Sequence, residues 1–195
     1  MDLELSEEQQ MVIDMTRSML EEYSTVDVVR VMEDDPKGYP DPLWKQMGEL
    51  GLNGLLIPES YGGGGQTLLE GALVYEELGR AMAPVPHFVS CVMSANVLLA
   101  AGSDAQKQAW LPKIASGEAI LTPAWLEPER GYGEAGVALE AKADGDGFVL
   151  TGRKRSVPYA GVATQLVVLA RTKDGVDLFL VDPKAKGITS KQLLS

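Results

Sequence analysis

One cysteine, Cys91, and one histidine, His87, occur in the 195 residues of this chain. A lone thiol excludes a disulfide framework and every multi-cysteine metal site. A lone imidazole argues against a histidine-based zinc site or a His-dependent triad. The two residues stand one helical turn apart, which makes no site, so both read as core or interface residues. Basic charge is scarce as well. The net charge of −11 excludes nucleic acid as an expected partner, because phosphate binding needs a basic face. No long apolar run exists: the most apolar window, residues 85–101, is broken by Pro86, His87, Ser90, Ser94 and Asn96. It falls short of the roughly 18 uninterrupted apolar residues of a membrane span and reads as a buried helix, so no membrane insertion is expected. The acidic Met1-Asp2-Leu3-Glu4 lacks the basic region of a signal peptide, which points to a cytoplasmic protein.

What is present is an ordinary globular composition, 45% hydrophobic and 23% charged, in a chain long enough to bury a core without staples. The charge is uneven. Residues 1–119 carry 7 Lys/Arg against 19 Asp/Glu, whereas residues 120–195 carry 10 against 9. The same point divides two patterns. Before it, apolar residues recur at helical spacing, as in Val12, Met15, Met19, Leu20 and Tyr23 behind a capping box at Ser6-Glu7-Glu8-Gln9. A second helix spans about 27–34. A third follows Asp41 as N-cap, with Leu43, Trp44, Met47 and Leu50 on one face and Gly51 ending it. Further helices are expected over 67–82, over 85–101, and from the second capping box at Ser103-Asp104-Ala105-Gln106.

After Gly117 the pattern changes to short β-prone runs at 119–126, 137–143, 148–151, 165–171 and 176–181. Asp144-Gly145-Asp146-Gly147 and Lys173-Asp174-Gly175 lie between them as hairpin turns. Helices followed by strands predict an α+β chain: an all-helical domain over 1–119, then an antiparallel β domain over 120–195. The run Gly62-Gly63-Gly64-Gly65 is a loop. No Gly-Lys-Ser/Thr follows it and it has no βαβ context, so it is neither a P-loop nor a dinucleotide fingerprint.

Whole segments carry more than single residues do. Leu55-Leu56-Ile57-Pro58-Glu59-Ser60-Tyr61-Gly62-Gly63-Gly64-Gly65, running into Tyr75-Glu76-Glu77-Leu78-Gly79-Arg80, resembles the central helical segment of acyl-CoA dehydrogenases. Trp110-Leu111-Pro112-Lys113-Ile114-Ala115-Ser116-Gly117-Glu118 resembles the close of their N-terminal domain, and Leu5-Ser6-Glu7-Glu8-Gln9 its opening. The resemblance covers the whole chain. It implies α,β-dehydrogenation of an acyl-CoA thioester with FAD as hydride acceptor. An electron-transfer flavoprotein would reoxidise the FAD.

The family's flavin-facing stretch T-E-P-x-A-G-S-D reads here Leu126-Glu127-Pro128-Glu129-Arg130-Gly131-Tyr132-Gly133. Its G-x-K-x-W-I-T reads Gly152-Arg153-Lys154-Arg155-Ser156-Val157-Pro158. Glu127, Pro128, Gly131, Gly152 and Lys154 match, and Val157 replaces an isoleucine. At four flavin positions the family residue is gone, leaving Leu126, Tyr132, Ser156 and Pro158. Leucine and proline supply no side-chain donor to a flavin ring that gains negative charge on reduction. By resemblance, Gly131, Val157 and Trp125 are the candidate cofactor-binding residues. Trp125 offers stacking surface, although a strand residue beside Leu126 also reads as core. Arg153-Lys154-Arg155 reads as a strand with charges on its solvent face, or as a phosphate contact.

The family's catalytic glutamate belongs to a C-terminal helical domain that these residues do not include, so no catalytic residue and no metal site is nominated. The resemblance therefore implies a flavin-site-degenerate subunit of a hetero-oligomeric dehydrogenase, paired with a homologous subunit that keeps its flavin. Some actinobacterial enzymes acting on steroid side-chain CoA esters resemble this arrangement. A self-sufficient FAD-dependent dehydrogenase or oxidase of the same fold, and a non-catalytic assembly module, stay open beside it.

Overall fold

The structure is a computed structural model that describes residues 4–193. The acidic start at 1–3 and the final residues 194–195 lie outside the described residues. The chain divides into two compact units, Met1–Ala119 and Ile120–Ser195.

The first unit is helical: α1 Glu7–Tyr23, α2 Val26–Asp34, α3 Asp41–Glu49, α4 Leu68–Arg80, α5 Ala95–Ala101 and α6 Asp104–Ala115. Helix α1 starts at the expected capping box, where Ser6 Oγ accepts from the Gln9 amide and the Gln9 side chain accepts from the Ser6 amide. The same reciprocal pair opens α6 at Ser103 and Gln106, and a third, at Thr67 and Glu70, opens α4. Helix α1 packs on α4. Leu43, Met47, Leu52, Ile57, Leu111, Ile114 and Val74 form a fully buried centre. Each such side chain contributes about 1.5–3 kcal/mol relative to exposure.

Two expectations are corrected here. Asp41 is the first residue of α3, and Pro40, in extended backbone, holds the N-cap position. Asp41 instead pairs with Lys37. The window 85–101 is not one α-helix: a π-helical turn, Phe88–Ser94, precedes α5. Buried Ser94 supplies the reason. Its hydroxyl donates to the carbonyl of Val89, five residues back, at 2.7 Å, which satisfies a polar group inside the core at the wider register.

The second unit is a sheet of β1 Leu121–Ala124, β2 Glu140–Asp144, β3 Gly147–Thr151, β4 Gln165–Arg171 and β5 Val176–Val181. The two predicted turns close antiparallel hairpins, β2 with β3 and β4 with β5. Strand β4 is central, with β5 on one edge. On the other edge β1 pairs with it over residues 165–168 and β2 meets it at Arg171. Those two pairings are parallel, so the sheet is mixed rather than antiparallel throughout. About forty residues separate β1 from β4, long enough to return the chain in the same direction. On one face Ala124, Leu139, Ala141, Val168 and Ala170 form a core, with Leu150, Val157, Leu166, Phe179 and Val181 packed against it.

Candidate functional site

Strand β1 ends at Ala124 because it pairs with β4 over only four residues. The chain then leaves the sheet as the loop that carries Trp125 to Gly136. A cleft of about 220 Å³ opens beneath this loop, lined by Trp125, Leu126, Gly131, Tyr132, Gly133, Glu134, Val137, Leu169 and Val176. Trp125 is 38% exposed and Tyr132 86% exposed, so the core reading of Trp125 is overturned. Leu169 and Val176 lie on the sheet face opposite the core, so the cleft floor is apolar. Arg171 holds the far side of the loop, donating from Nε to the Val137 carbonyl and from Nη2 to the Glu134 carbonyl.

Behind the loop stands a buried polar cluster. Glu127 Oε1 accepts from the amides of Ala138 and Leu139, both at 3.0 Å, and from Lys154 Nζ at 2.8 Å. Lys154 Nζ also donates to the Trp125 carbonyl at 3.1 Å. Both side chains are 7% exposed. Burial pushes the Glu127 carboxyl up, but the Lys154 ammonium and the two amides outweigh it and leave the group below the usual carboxylate range. The Arg155 amide donates to the Leu126 carbonyl, and the Thr122 hydroxyl to the Pro158 carbonyl.

Of the three candidate cofactor residues, Trp125 and Gly131 line the cleft together, whereas Val157 packs on the core side of the sheet. The basic triplet is not a strand. Arg153 and Arg155 are exposed, and Lys154 turns inward to Glu127. The Glu127–Lys154 pair escaped the sequence reading because its members are 27 residues apart; the one available signal is that both sit at matched motif positions.

In the helical unit, His87 and Cys91 are buried as expected. His87 Nε2 lies 3.0 Å from the Leu52 carbonyl, which can only accept, so Nε2 bears the proton and Tyr75 donates its hydroxyl to Nδ1 at 2.6 Å. Burial holds the imidazole below its ordinary pKa and raises both the Tyr75 phenol and the Cys91 thiol. All three are neutral partners in packing. Among the described residues, no three His, Cys, Asp or Glu side chains group to hold a metal, and no helix is long and apolar enough to cross a membrane.

Two family models match this chain: the acyl-CoA dehydrogenase N-terminal domain over residues 6–118 and the middle domain over 123–195. The chain belongs to the acyl-CoA dehydrogenase family. The probable acyl-CoA dehydrogenase YngJ of Bacillus subtilis is 33% identical over 97% of this chain and 51% of its own. Among solved structures, the ChsE4–ChsE5 complex from Mycobacterium tuberculosis superposes with a TM-score of 0.87 at 30% identity, over 99% of this chain and 52% of that one. A variant of the Tcur3481–Tcur3483 steroid ACAD gives 0.83 at 34%, over 93% and 49%. A glutaryl-CoA dehydrogenase from Mycobacterium smegmatis in complex with FADH2 gives 0.88 at 27%, over 97% and 49%. This acyl-CoA dehydrogenase-like chain thus spans about half the length of the relatives it matches.

Family members bind FAD, and the cleft can be tested against that group. No lining residue is cationic, and the one carboxylate, Glu134, lies 3.8 Å from Arg171 Nη1. The wall carbonyls, Trp125 and Leu126, already accept from Lys154 and Arg155. The donors among the lining side chains are the Trp125 indole and the Tyr132 hydroxyl.

Proposed function

We propose that this chain is the flavin-site-degenerate member of a hetero-oligomeric acyl-CoA dehydrogenase. Residues 1–119 are its N-terminal helical domain and 120–195 its middle β domain. The assembled enzyme carries out α,β-dehydrogenation of an acyl-CoA thioester in the cytoplasm, with FAD held by a homologous partner subunit and reoxidised by an electron-transfer flavoprotein. The observation that carries this reading is the cleft itself. Leu126 and Tyr132 line it in place of the threonine and serine donors, Pro158 has no amide to offer, and no lining residue is cationic. Trp125 and Gly131 remain as cleft wall, and Val157 supports the sheet from behind. The likeness to structures named as two-protein assemblies, ChsE4–ChsE5 and Tcur3481–Tcur3483, supports the pairing. The steroid named for the second of these extends the reading to CoA esters of bulky steroid side chains.

The test is to purify the chain alone and again co-expressed with a homologous acyl-CoA dehydrogenase subunit encoded beside it, recording flavin absorbance for each. The expected result is no flavin in the chain alone and bound flavin in the complex. Stoichiometric flavin in the chain alone would replace this reading with a self-sufficient enzyme. A flavin-free complex would replace it with an assembly module.

A further inference from the structure

We infer that Glu127 and Lys154 are positioning residues for the cleft wall: one buried carboxylate fixes the amides of Ala138 and Leu139, and the ammonium it holds fixes the carbonyl of Trp125. The inference concerns the wall and does not depend on which group enters the cleft. Three segments converge on this pair. The loop after β1 brings Glu127 and the Trp125 carbonyl, the approach to β2 brings the two amides, and the segment after β3 brings Lys154. Both side chains are more than nine-tenths buried, so neither charge has water as an alternative partner. Arg130 stands at the edge of the cluster, 3.9 Å from Oε2 and half exposed, too far for a hydrogen bond.

The pair is asymmetric. The carboxylate satisfies three donors, two of them on the backbone, so its position demands an acceptor. The ammonium satisfies two acceptors, so its position demands a donor. An ordinary ion pair tolerates exchange of its ends, and this one does not. The carbonyls of Trp125 and Leu126 are engaged by Lys154 and by the Arg155 amide, and both residues line the cleft. The pair thus sets where the wall stands at Trp125, and the Arg155 amide holds the adjoining Leu126 carbonyl.

The experiment uses the full chain labelled with 5-fluorotryptophan. Its three tryptophans, Trp44, Trp110 and Trp125, give three fluorine resonances, assigned by single Trp→Phe replacements. Lys154→Met and Glu127→Gln each shift the Trp125 resonance and leave the other two in place. Lys154→Arg, which can still donate to both acceptors, restores it toward its native position. The exchanged pair Glu127→Lys with Lys154→Glu does not restore it, and it speeds hydrogen exchange at the Ala138 and Leu139 amides by about tenfold or more as their acceptor is lost. Glu127→Gln keeps the shape and an accepting oxygen, so it reports even where Lys154→Met fails to fold. An unmoved Trp125 resonance in Glu127→Gln, recovery in the exchanged pair, or joint movement of all three tryptophans would each overturn the inference.

Discussion

At Glu77 a single carboxylate decides how α1 and α4 meet. Its side chain is 4% exposed and accepts from Arg17 Nε and Nη2 at 3.0 and 2.9 Å, with Arg80 Nε at 3.4 Å. The Arg17 hydrogen bonds hold the carboxyl below its ordinary range, burial opposes them, and the Arg17 and Arg80 charges add to them. The two arginines are not equivalent. Arg17, 45% exposed, reaches across from another helix and makes a bidentate contact, whereas Arg80, 60% exposed, makes one longer contact from three residues away on the same helix. A bidentate, charge-assisted contact holds its geometry better than a single longer one, although solvent screens both arginines. Arg17→Met is therefore expected to lower the urea unfolding midpoint more than Arg80→Met. Equal losses would show that the bidentate contact carries no special weight. None of this was legible in the sequence, where Glu76 and Glu77 are indistinguishable; only the phase of α4 turns Glu77 inward and leaves Glu76 on the surface.

Elements were legible where a local rule fixes them. Ser6 and Ser103 with their glutamines placed two helix starts, and β4 and β5 fall where apolar runs and a Lys-Asp-Gly turn put them. Ser103→Ala is accordingly expected to cost about 1 kcal/mol in thermal or urea unfolding. What depends on register or on distant residues was not legible. Trp125 looked like strand because nothing local says that β1 runs out of partner at Ala124, and Lys154 looked like a surface charge because its acceptor is far away in sequence. The glycine run shows the same boundary within four residues. Composition marks a loop, but not which glycine is obligatory. Gly62 has φ of 79° with open space around its Cβ position, whereas a Cβ on Gly63 would lie 2.0 Å from the Ile57 carbonyl oxygen. Gly62→Ala should cost about 1–2 kcal/mol through the left-handed backbone alone. Gly63→Ala forces backbone against backbone and should cost about 3 kcal/mol or more. Urea midpoints of the two variants check this ordering, and the reverse order would show that conformation outweighs contact in this loop.

Over the whole molecule, the single histidine makes the pH dependence of stability readable. Burial, partly offset by the hydrogen bond to the Leu52 carbonyl, holds folded His87 below its ordinary value of 6.5. Tyr75, which packs on it, and the nearby buried Cys91 are both raised and stay neutral at and below neutrality. As pH falls through about 6.5 the unfolded chain binds a proton that the folded chain refuses. Stability is therefore complete above that pH and declines below it, by at most about 1.4 kcal/mol per pH unit. Carboxylates extend the decline. Gln9 and Thr67 hold Glu70 at about 2, and Glu77 and Glu127 are also lowered, so their contribution is present above about 4.5 and lost as pH falls further. Two stages follow, the first belonging to one residue because no other histidine exists to share it. His87→Gln separates them, since a glutamine can still donate to Leu52 and accept from Tyr75 but does not titrate. Urea midpoints from pH 8 to 3.5 should fall below about 6.5 in the native chain. In the variant they should stay level until about pH 5 and then fall with the carboxylates. An identical slope in both proteins between pH 6.5 and 5 would mean that His87 takes up its proton inside the fold without cost, and that the Tyr75–His87–Leu52 chain is not what keeps it neutral.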